Sequence, residues 1–434
     1  MPLRRADYRI VAVSSMEQLI GGALSTVIGV MLPMMQLTLH PELPSWLQGL
    51  LGAMGLIGIG IGSLLIGRIS DDKGYLLTFR LCPVAIMLGS LICLFFPDLV
   101  GLIAGLLIIG IGVGGGYSLD SAYISELLPE KWRLFMVGVA KATCSIGFIG
   151  AAVVCALLLR WHPDPKYWNT MILVIFALGL ITLLLRIRWA ESPKWLLVKG
   201  RTAEAQKATE YFLGKDVQIA TTVEAQPKPV KFSVKDNFSR IIFSGIPWAC
   251  EGLAVYGFSV FLPVLVMALG IESAHTVGIH KIVDSVWVTA AVNFFILPGF
   301  ILGLMMMRKV NNVKMLYTGF LFAAVGLLLL LASYLLKWHV AWMIVGFVIF
   351  EIALNAGPHL ITFIIPSRIY PVAELGAGNG IAAMIGKVGA VGGVILMPIL
   401  LDLGGMTLVL GVSSGVMLLG AVVGMVYGKI LKLV

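Results

Sequence analysis

Long apolar runs separated by short polar segments dominate the chain. A membrane-spanning helix needs about 20 mainly apolar residues, because it rises about 1.5 Å per residue through about 30 Å of hydrocarbon. Twelve runs reach or approach that length, and we number them as spans one to twelve: 10–37, 46–66, 81–97, 99–125, 134–159, 168–187, 241–268, 279–304, 315–336, 340–366, 376–400 and 403–428. The pattern therefore predicts an all-α integral membrane protein with twelve transmembrane helices.

One long polar segment, 188–240, divides the spans into two sets of six. It begins with the helix-forming TAEAQKATEYFLG (202–214) and continues into the linker-like TTVEAQPKPVKF (221–232). We expect an N-terminal six-helix bundle over 1–187, a cytoplasmic linker with short helices over 188–240 and a C-terminal six-helix bundle over 241–434. Six spans, a polar segment and six further spans are typical of a parallel duplication.

The polar loops after spans four and ten support the duplication. The first loop has Glu126 before its proline and Arg133 after it, whereas the second has Arg368 before its proline and Glu374 after it. The order is the same and the charges are exchanged. This pattern predicts an ion pair in each loop, and the alternative is a chance similarity of two polar loops.

Composition and charge placement support a membrane protein. Hydrophobic residues make up 59% of the chain and charged residues 12%, with a mean hydropathy of +0.99, whereas soluble domains carry about 25% charged residues. With both termini cytoplasmic, all but six of the 31 lysines and arginines lie in cytoplasmic segments, as the positive-inside rule requires. The net charge of +9 therefore indicates topology, not nucleic-acid binding. We expect a cytoplasmic (inner) membrane protein.

The sequence contains no pattern typical of an enzyme. It has no Ser/His/Asp set and no metal-ligand spacing, and its five cysteines all lie in apolar runs. We expect no enzymatic activity and no cofactor or metal. The expected partners are the lipid bilayer and a small-molecule substrate, with protons as a third possibility, and we expect a monomer.

Eight ionisable residues lie within the predicted spans and away from the span ends. Each costs about 2.5–3.5 kcal/mol in hydrocarbon, so each should face a cavity or a partner. These residues are Glu17, Asp120, Lys141, Glu251, Asp284, Glu351, His359 and Lys387.

Several of these residues have two interpretations. Lys387 lies near mid-depth of span eleven, where it either attracts an anionic substrate or forms an ion pair with Glu251 or Glu351. Asp120 either carries a proton or pairs with Lys141. His359 is either a substrate ligand or a hydrogen-bonding core residue. The aromatic residues Trp248 and Tyr256 of span seven either bind substrate or only pack against neighbouring helices.

Two cytoplasmic motifs give the chain a family resemblance. GRISDDKG (67–74), after span two, is similar to the G-x-x-x-D-r-x-G loop of the major facilitator superfamily, with Gly67, Asp71 and Gly74 in register. ESPKWLLVKGR (191–201), after span six, resembles the P-E-S-P-R-W-L-x-x-K-G-R signature of the sugar-porter branch. The resemblance implies two six-helix bundles and a cytoplasmic latch of charged side chains. The expected latch residues are Asp71, Arg68, Glu126, Arg133, Glu191, Lys194, Arg201, Arg368 and Glu374.

Spans seven and eleven resemble the proton-coupled phosphate symporters within that branch. WACEGLAVYG (248–257) is similar to their W-x-x-x-D-x-x-x-Y-G, and GNGIAAMIGKVGA (378–390) carries the span-eleven lysine. The family pattern has aspartates where this chain has Gly116 and Gly252, which argues against inorganic phosphate as the substrate. The resemblance implies anion contacts at Tyr117, Trp248, Tyr256 and Lys387.

We therefore expect a secondary transporter that moves a small polar metabolite, most plausibly an organic anion, by alternating access. The expected substrate-binding residues are Lys387, Tyr117, Trp248, Tyr256, Glu251 and His359. The candidates for proton coupling are Asp120, Glu17 and Glu351. A sugar:proton symporter or facilitator is the nearest alternative, because aromatic walls suit sugars. A multidrug exporter is less favoured, because Lys387 would repel a cationic drug.

Overall fold

The computed structural model describes residues 3–38, 42–214, 217, 232–271, 277–371 and 374–433. The helices of the first half are α1 (Arg5–Val13), α2 (Met16–Thr38), α3 (Ser45–Lys73), α4 (Tyr75–Phe95), α5 (Leu99–Leu127), α6 (Glu130–Trp161), a 3-10 helix (Pro165–Ile172), α7 (Leu173–Arg186), α8 (Pro193–Val198) and α9 (Thr202–Leu213). Spans one to six are α2, α3, α4, α5, α6 and the 3-10 helix with α7.

The helices of the second half are α10 (Phe238–Leu269), α11 (Ile279–Asn293), α12 (Ile296–Met306), α13 (Asn312–Leu335), α14 (Val340–Ala356), α15 (Pro358–Ile364), α16 (Pro366–Ile369) and α17 (Leu375–Ile430). Span seven is α10, span eight is α11 with α12, span nine is α13 and span ten is α14 with α15. Span ten is interrupted before Pro358, because proline lacks the N–H that an unbroken helix requires.

The predicted all-α membrane fold is confirmed. Within the described ranges, eleven helices are long and apolar enough to cross a membrane. The last of them is α17, which is interrupted at Gly404 and Gly405. Gly405 has a φ of 59°, a conformation that glycine adopts without a steric penalty. This interruption divides α17 into the predicted spans eleven and twelve.

The chain forms two compact units. The first unit comprises Met1–Gly22, Met54–Gly147 and Ile172–Pro227, and the second comprises Ala23–Ala53, Phe148–Met171 and Lys228–Val434. The boundaries predicted for the two six-helix bundles stay a prediction. The short helices predicted after span six are present as α8 and α9.

Glycines bring helices of the first unit into close contact. A Cβ atom on Gly58 of span two would lie 2.8 Å from the Cα atom of Gly110 on span four. A Cβ atom on Gly89 of span three would lie 2.5 Å from the carbonyl oxygen of Gly105 on span four. Small residues permit this approach, which is how helices associate in lipid. The many glycines of the apolar runs therefore serve packing.

Candidate substrate and ion sites

The packing of spans seven and eleven in the second unit determines where Lys387 lies. A Cβ atom on Gly252 would lie 2.8 Å from the carbonyl oxygen of Gly386, and one on Gly389 would lie 2.5 Å from the Cα atom of Ala249. The two backbones therefore touch on either side of Lys387. This contact holds the lysine at the level of residues 249–252 of span seven.

Lys387 lies against an aromatic wall. Its ammonium nitrogen is 5.1 Å from the ring centroid of Tyr256, within the range of a cation–π interaction. The Trp248 ring lies against Gly386 and meets the Phe363 ring edge to face, with centroids 6.1 Å apart. The structure thus brings together three predicted substrate residues, with Lys387 half-buried among them.

Glu251 and Glu351 belong to one buried polar cluster with His359. The Nε2 atom of His359 is 3.6 Å from Oε1 of Glu251, and its Nδ1 atom is 2.8 Å from Oδ1 of Asn355. Asn355 donates from Nδ2 to the Glu351 carboxylate at 3.1 Å. All four residues are buried. We name this set the span-ten cluster, and it connects two carboxylates that the sequence analysis treated separately.

The span-ten cluster bears on the two interpretations of Lys387. The ion pair of Glu251 is with His359, and the hydrogen bond to the Glu351 carboxylate comes from Asn355. These contacts supply both carboxylates with partners on span ten. Both interpretations of Lys387 stay predictions.

A second buried charge cluster lies in the first unit. Arg186 donates from Nη1 and Nη2 to the two carboxylate oxygens of Glu17, each at 2.5 Å. Its Nη2 atom is also 3.5 Å from Oδ1 of Asp120. The side chains of Glu17 and Arg186 are 0% exposed and that of Asp120 is 3% exposed. Asp120 therefore forms its ion pair with Arg186 and not with Lys141.

Backbone and ring contacts complete the surroundings of Arg186. Its guanidinium donates to the carbonyl oxygens of Phe79 at 3.0 Å and Val13 at 3.1 Å. The guanidinium carbon is 3.3 Å from the Phe79 ring centroid. Such a network satisfies the desolvated cation, which otherwise could not remain in the apolar interior.

Gly116 makes room for the Glu17 side chain. A Cβ atom on Gly116 would overlap Cγ and Cδ of Glu17. The resemblance to the phosphate symporters places an aspartate at the position of Gly116, one residue before Tyr117. In this chain the side chain of Glu17, from span one, fills the space beside Gly116. The neighbouring Tyr117 lies in the first unit with its hydroxyl against Gly21, at a point where a Cβ atom would overlap it.

Glu191 of the ESPKWLLVKGR motif caps span three. Its Oε1 atom accepts hydrogen bonds from the backbone N–H groups of Tyr75 at 2.9 Å and Leu76 at 3.0 Å, and from its neighbour Ser192 at 2.8 Å. The first N–H groups of a helix have no partner within the helix, and a carboxylate there also interacts favourably with the helix dipole. Gly74 is required at this point, because its φ is 102° and a Cβ atom would meet the Glu191 carboxylate.

Burial raises the pKa of the Glu191 carboxyl above its ordinary value, and the backbone hydrogen bonds that it accepts oppose this shift. Glu191 lies outside the spans, between the end of α7 and the start of α8.

Glu126 caps α8 in the same manner. It accepts from the Ser192 hydroxyl at 2.6 Å and from the backbone N–H of Lys194 at 2.7 Å. Arg133 donates to the carbonyl oxygen of Leu128 at 2.9 Å. The predicted ion pair between Glu126 and Arg133 is therefore wrong, because α8 offers unpartnered backbone N–H groups to this carboxylate.

The other predicted latch residues have local partners or are exposed. Arg201 forms a surface ion pair with Glu204 at 2.6 Å, and this contact raises the pKa of the Arg201 guanidinium. Glu374 accepts from Asn237 at 3.1 Å and lies 4.0 Å from Arg240. Arg368, which was predicted to pair with Glu374, is exposed, as are Arg68 and Lys194. The side chain of Asp71 lies outside the described part of the structure.

Arg186, Arg80 and Asn355 were not among the predicted site residues. Arg80 donates to the carbonyl oxygens of Arg186 at 3.2 Å and Ile187 at 2.6 Å, which caps the end of span six. Arg186 could have been expected from Glu17 and Asp120, because two carboxylates buried in the membrane need a cation at the same depth. Among the described residues, no group of three or more His, Cys, Asp or Glu side chains could hold a metal ion.

A family model described as "Sugar (and other) transporter" matches residues 17–429. The chain belongs to this family. It is similar to the inner membrane metabolite transport protein YgcS of Escherichia coli strain K12, with 28% identity over 427 residues that cover 98% of this chain and 91% of YgcS. It is also similar to the major myo-inositol transporter IolT of Bacillus subtilis strain 168, with 25% identity over 388 residues that cover 86% of this chain and 80% of IolT.

A solved structure has the same fold. The xylose transporter XylE from E. coli, in a partially occluded inward-open conformation, matches with a TM-score of 0.79 and 18% identity, covering 96% of this chain and 97% of XylE. This member of the sugar (and other) transporter family is therefore a multi-pass membrane transporter of the major facilitator superfamily. The relatives named here are transporters, not enzymes.

Proposed function

We propose that this chain carries a small organic anion across the cytoplasmic membrane by alternating access, and that Lys387 binds the anion. The position of Lys387 carries the proposal. Lys387 is half-buried beside the Tyr256 ring, in surroundings of low dielectric constant, where an ammonium group and a negative charge attract each other more strongly than in water. An ionisable residue within a transmembrane span is by default a candidate functional residue.

The aromatic residues supply shape. Trp248, which packs on Gly386, and Tyr256 form one wall beside the ammonium group. An apolar wall next to a single charge suits a carboxylate that carries a short carbon skeleton. Glu251 and His359 lie on the adjoining span-ten cluster, where they adjust the charge that the substrate meets. Tyr117, in the first unit, remains a predicted substrate contact.

Proton coupling is part of the proposal. Asp120 and Glu17 both lie beside Arg186. This cluster therefore brings two buried carboxyl groups to one arginine. Such a set binds a proton at modest cost, because one carboxyl group lacks a full charge partner. Glu17 accepts two hydrogen bonds from Arg186, whereas Asp120 lies 3.5 Å from it, so we favour Asp120 as the candidate of the two. Glu351 is the candidate in the second unit.

A sugar is the second candidate substrate. The family is described as sugar (and other) transporters, and IolT is named as a myo-inositol transporter. The edge-to-face pair of Trp248 and Phe363 offers aromatic surface of the kind that stacks on sugar rings. A sugar would bind without needing the charge of Lys387, so the two candidates predict different results for the same variant.

A thermal-shift screen tests the proposal. Purified protein is heated with phosphate, a panel of mono- and dicarboxylic acids or a panel of sugars, and compared with Lys387→Ala. Ligand binding to the folded state raises the unfolding temperature, and at a fixed ligand concentration the increase is larger for a tighter ligand. The matched control is Lys429→Ala, an exposed lysine on the same helix. The proposal expects stabilisation by a carboxylic acid that Lys387→Ala loses and Lys429→Ala keeps. Stabilisation by a sugar in all three proteins would favour the second candidate.

A further inference from the structure

We infer that His359 and Glu251 hold one shared proton as an imidazolium–carboxylate pair, and that Asn355 is the residue that positions this pair. The geometry of the pair stands independently of the cargo. The part that it plays in transport rests on the proposed function.

Hydrogen-bond directions fix the orientation of Asn355. Its Nδ2 atom donates to the carbonyl oxygen of Glu351 at 2.8 Å and to Oε2 of the Glu351 carboxylate at 3.1 Å. Both are acceptors, so the amide nitrogen points at Glu351 and the amide oxygen points at His359. This oxygen lies 2.8 Å from Nδ1 of His359 and can only accept. The Nδ1 atom of the imidazole therefore carries a proton.

The second imidazole nitrogen then decides the charge of the pair. The Nε2 atom of His359 is 3.6 Å from Oε1 of Glu251. If Nε2 and the carboxylate were both without a proton, a lone pair and a negative charge would face each other in a region where both residues are almost fully buried. A proton between them removes that repulsion. The Asn355 oxygen and the nearby Glu351 carboxylate both stabilise positive charge on the ring, so the proton resides on Nε2.

Three further elements bring described groups to the surroundings of the imidazole. Span eight contributes the Phe300 ring, whose centroid is 5.1 Å from that of the imidazole. Span nine meets this part of span ten through Gly319, which lies against Pro358. Span eleven contributes Lys387, through its contact with the Glu251 turn of span seven. Asp284, on span eight, lies roughly 24 Å along the chain from Phe300 at about 1.5 Å per helical residue.

The shared proton adds one positive charge to the region that holds Lys387, Glu251 and Glu351. Loss of this proton makes the region more negative by one charge. A substrate anion beside Lys387 also adds negative charge, so it favours the form of the pair that keeps the proton. By linkage the proton strengthens anion binding by the same factor. The result is co-transport of an anion with a proton.

Nitrogen NMR of protein labelled with 15N-histidine tests the inference without any substrate. The signals of His359 are assigned by their loss in His359→Gln. Near neutral pH, we expect both nitrogens of His359 to carry protons in the wild type. In Glu251→Gln we expect the Nε2 proton to be lost and the Nδ1 proton to remain. In Asn355→Leu we expect the preference for a proton on Nδ1 to be lost, because its acceptor is gone.

His339 provides a matched internal control. Its Nδ1 atom accepts a hydrogen bond from the backbone N–H of Ala341, so its signals should not respond to Glu251→Gln. A neutral His359 in the wild type, or the same protonation in wild type and Glu251→Gln, would overturn the inference. If Asn355→Leu fails to fold, the spectra of the wild type and of Glu251→Gln still test whether the pair holds a shared proton. Lys387→Ala should keep the doubly protonated ring, so failure of the anion proposal can be told apart from failure of this one.

Discussion

Arg186 holds Glu17 through both terminal guanidinium nitrogens, at 2.5 Å each, although the two residues are 169 positions apart in the chain. The pair joins span one to span six, and Asp120 adds span four. Three helices of the first unit are thus tied together at one buried point.

Removing this arginine should strongly destabilise the protein. Arg186→Met leaves two carboxyl groups buried without their cation, and the loss of one partner of a buried ion pair costs about 3–5 kcal/mol. We expect a markedly lower apparent unfolding temperature in detergent. Arg188→Met, at an exposed position two residues later, is the control and should change little. Equal stability of the two variants would show that the buried contact contributes nothing.

The space beside Gly116 should accommodate only one carboxylate side chain. Gly116→Asp restores the residue of the phosphate symporters, but its Cβ atom would overlap the Glu17 side chain. We expect this variant to express poorly and to unfold at lower temperature. The double variant Glu17→Gly with Gly116→Asp should recover stability, because one carboxylate again lies beside Arg186 in addition to Asp120. No recovery in the double variant, as judged by monodispersity and unfolding temperature, would contradict this explanation.

The contact between spans two and eleven should leave no room for a side chain at Gly49. A Cβ atom there would lie 2.6 Å from the carbonyl oxygen of Ile395, within the second unit. Gly49→Leu should therefore lower stability by about 1–3 kcal/mol, the usual cost of overpacking. Gly60→Leu is the control, because nothing lies within 4 Å of a Cβ atom at that position. Thermal unfolding of both variants makes the comparison.

Glu191 should make stability decrease with rising pH. Because burial raises the pKa of this carboxyl in the folded protein above its unfolded value, the folded state binds more protons. Linkage then makes stability highest at low pH and lowers it as the pH rises from the ordinary glutamate value, about 4.3, through the raised value. Glu191→Gln should flatten this part of the profile of unfolding temperature against pH. An unchanged slope would assign the dependence to other groups.

The fold was predictable because the bilayer imposes a simple rule. Each helix must present about 20 apolar residues, and the chain meets that rule twelve times. The capping roles of Glu191 and Glu126 were not predictable, because each depends on a helix start that lies far away in the sequence. Arg186 appeared to be an ordinary cytoplasmic residue at the end of span six, since no pattern within one span reveals a partner on another.

The candidate site was predictable only in part. Glu251, His359 and Glu351 were each singled out because charges are rare in spans, but the cluster that joins them depends on Asn355. An asparagine in an apolar run gives no signal until its two neighbours are placed in space. Lys387 was singled out as a charge within a span and Tyr256 from the resemblance, and the glycines of spans seven and eleven explain why they meet.

The most direct test of the central claim is the stabilisation of wild-type protein and of Lys387→Ala by the same carboxylic acids. We predict that an acid which raises the unfolding temperature of the wild type loses at least about tenfold in affinity, or about 1.4 kcal/mol, when the ammonium group is removed. An acid that stabilises Lys387→Ala as strongly as the wild type would show that the charge on span eleven does not bind the cargo.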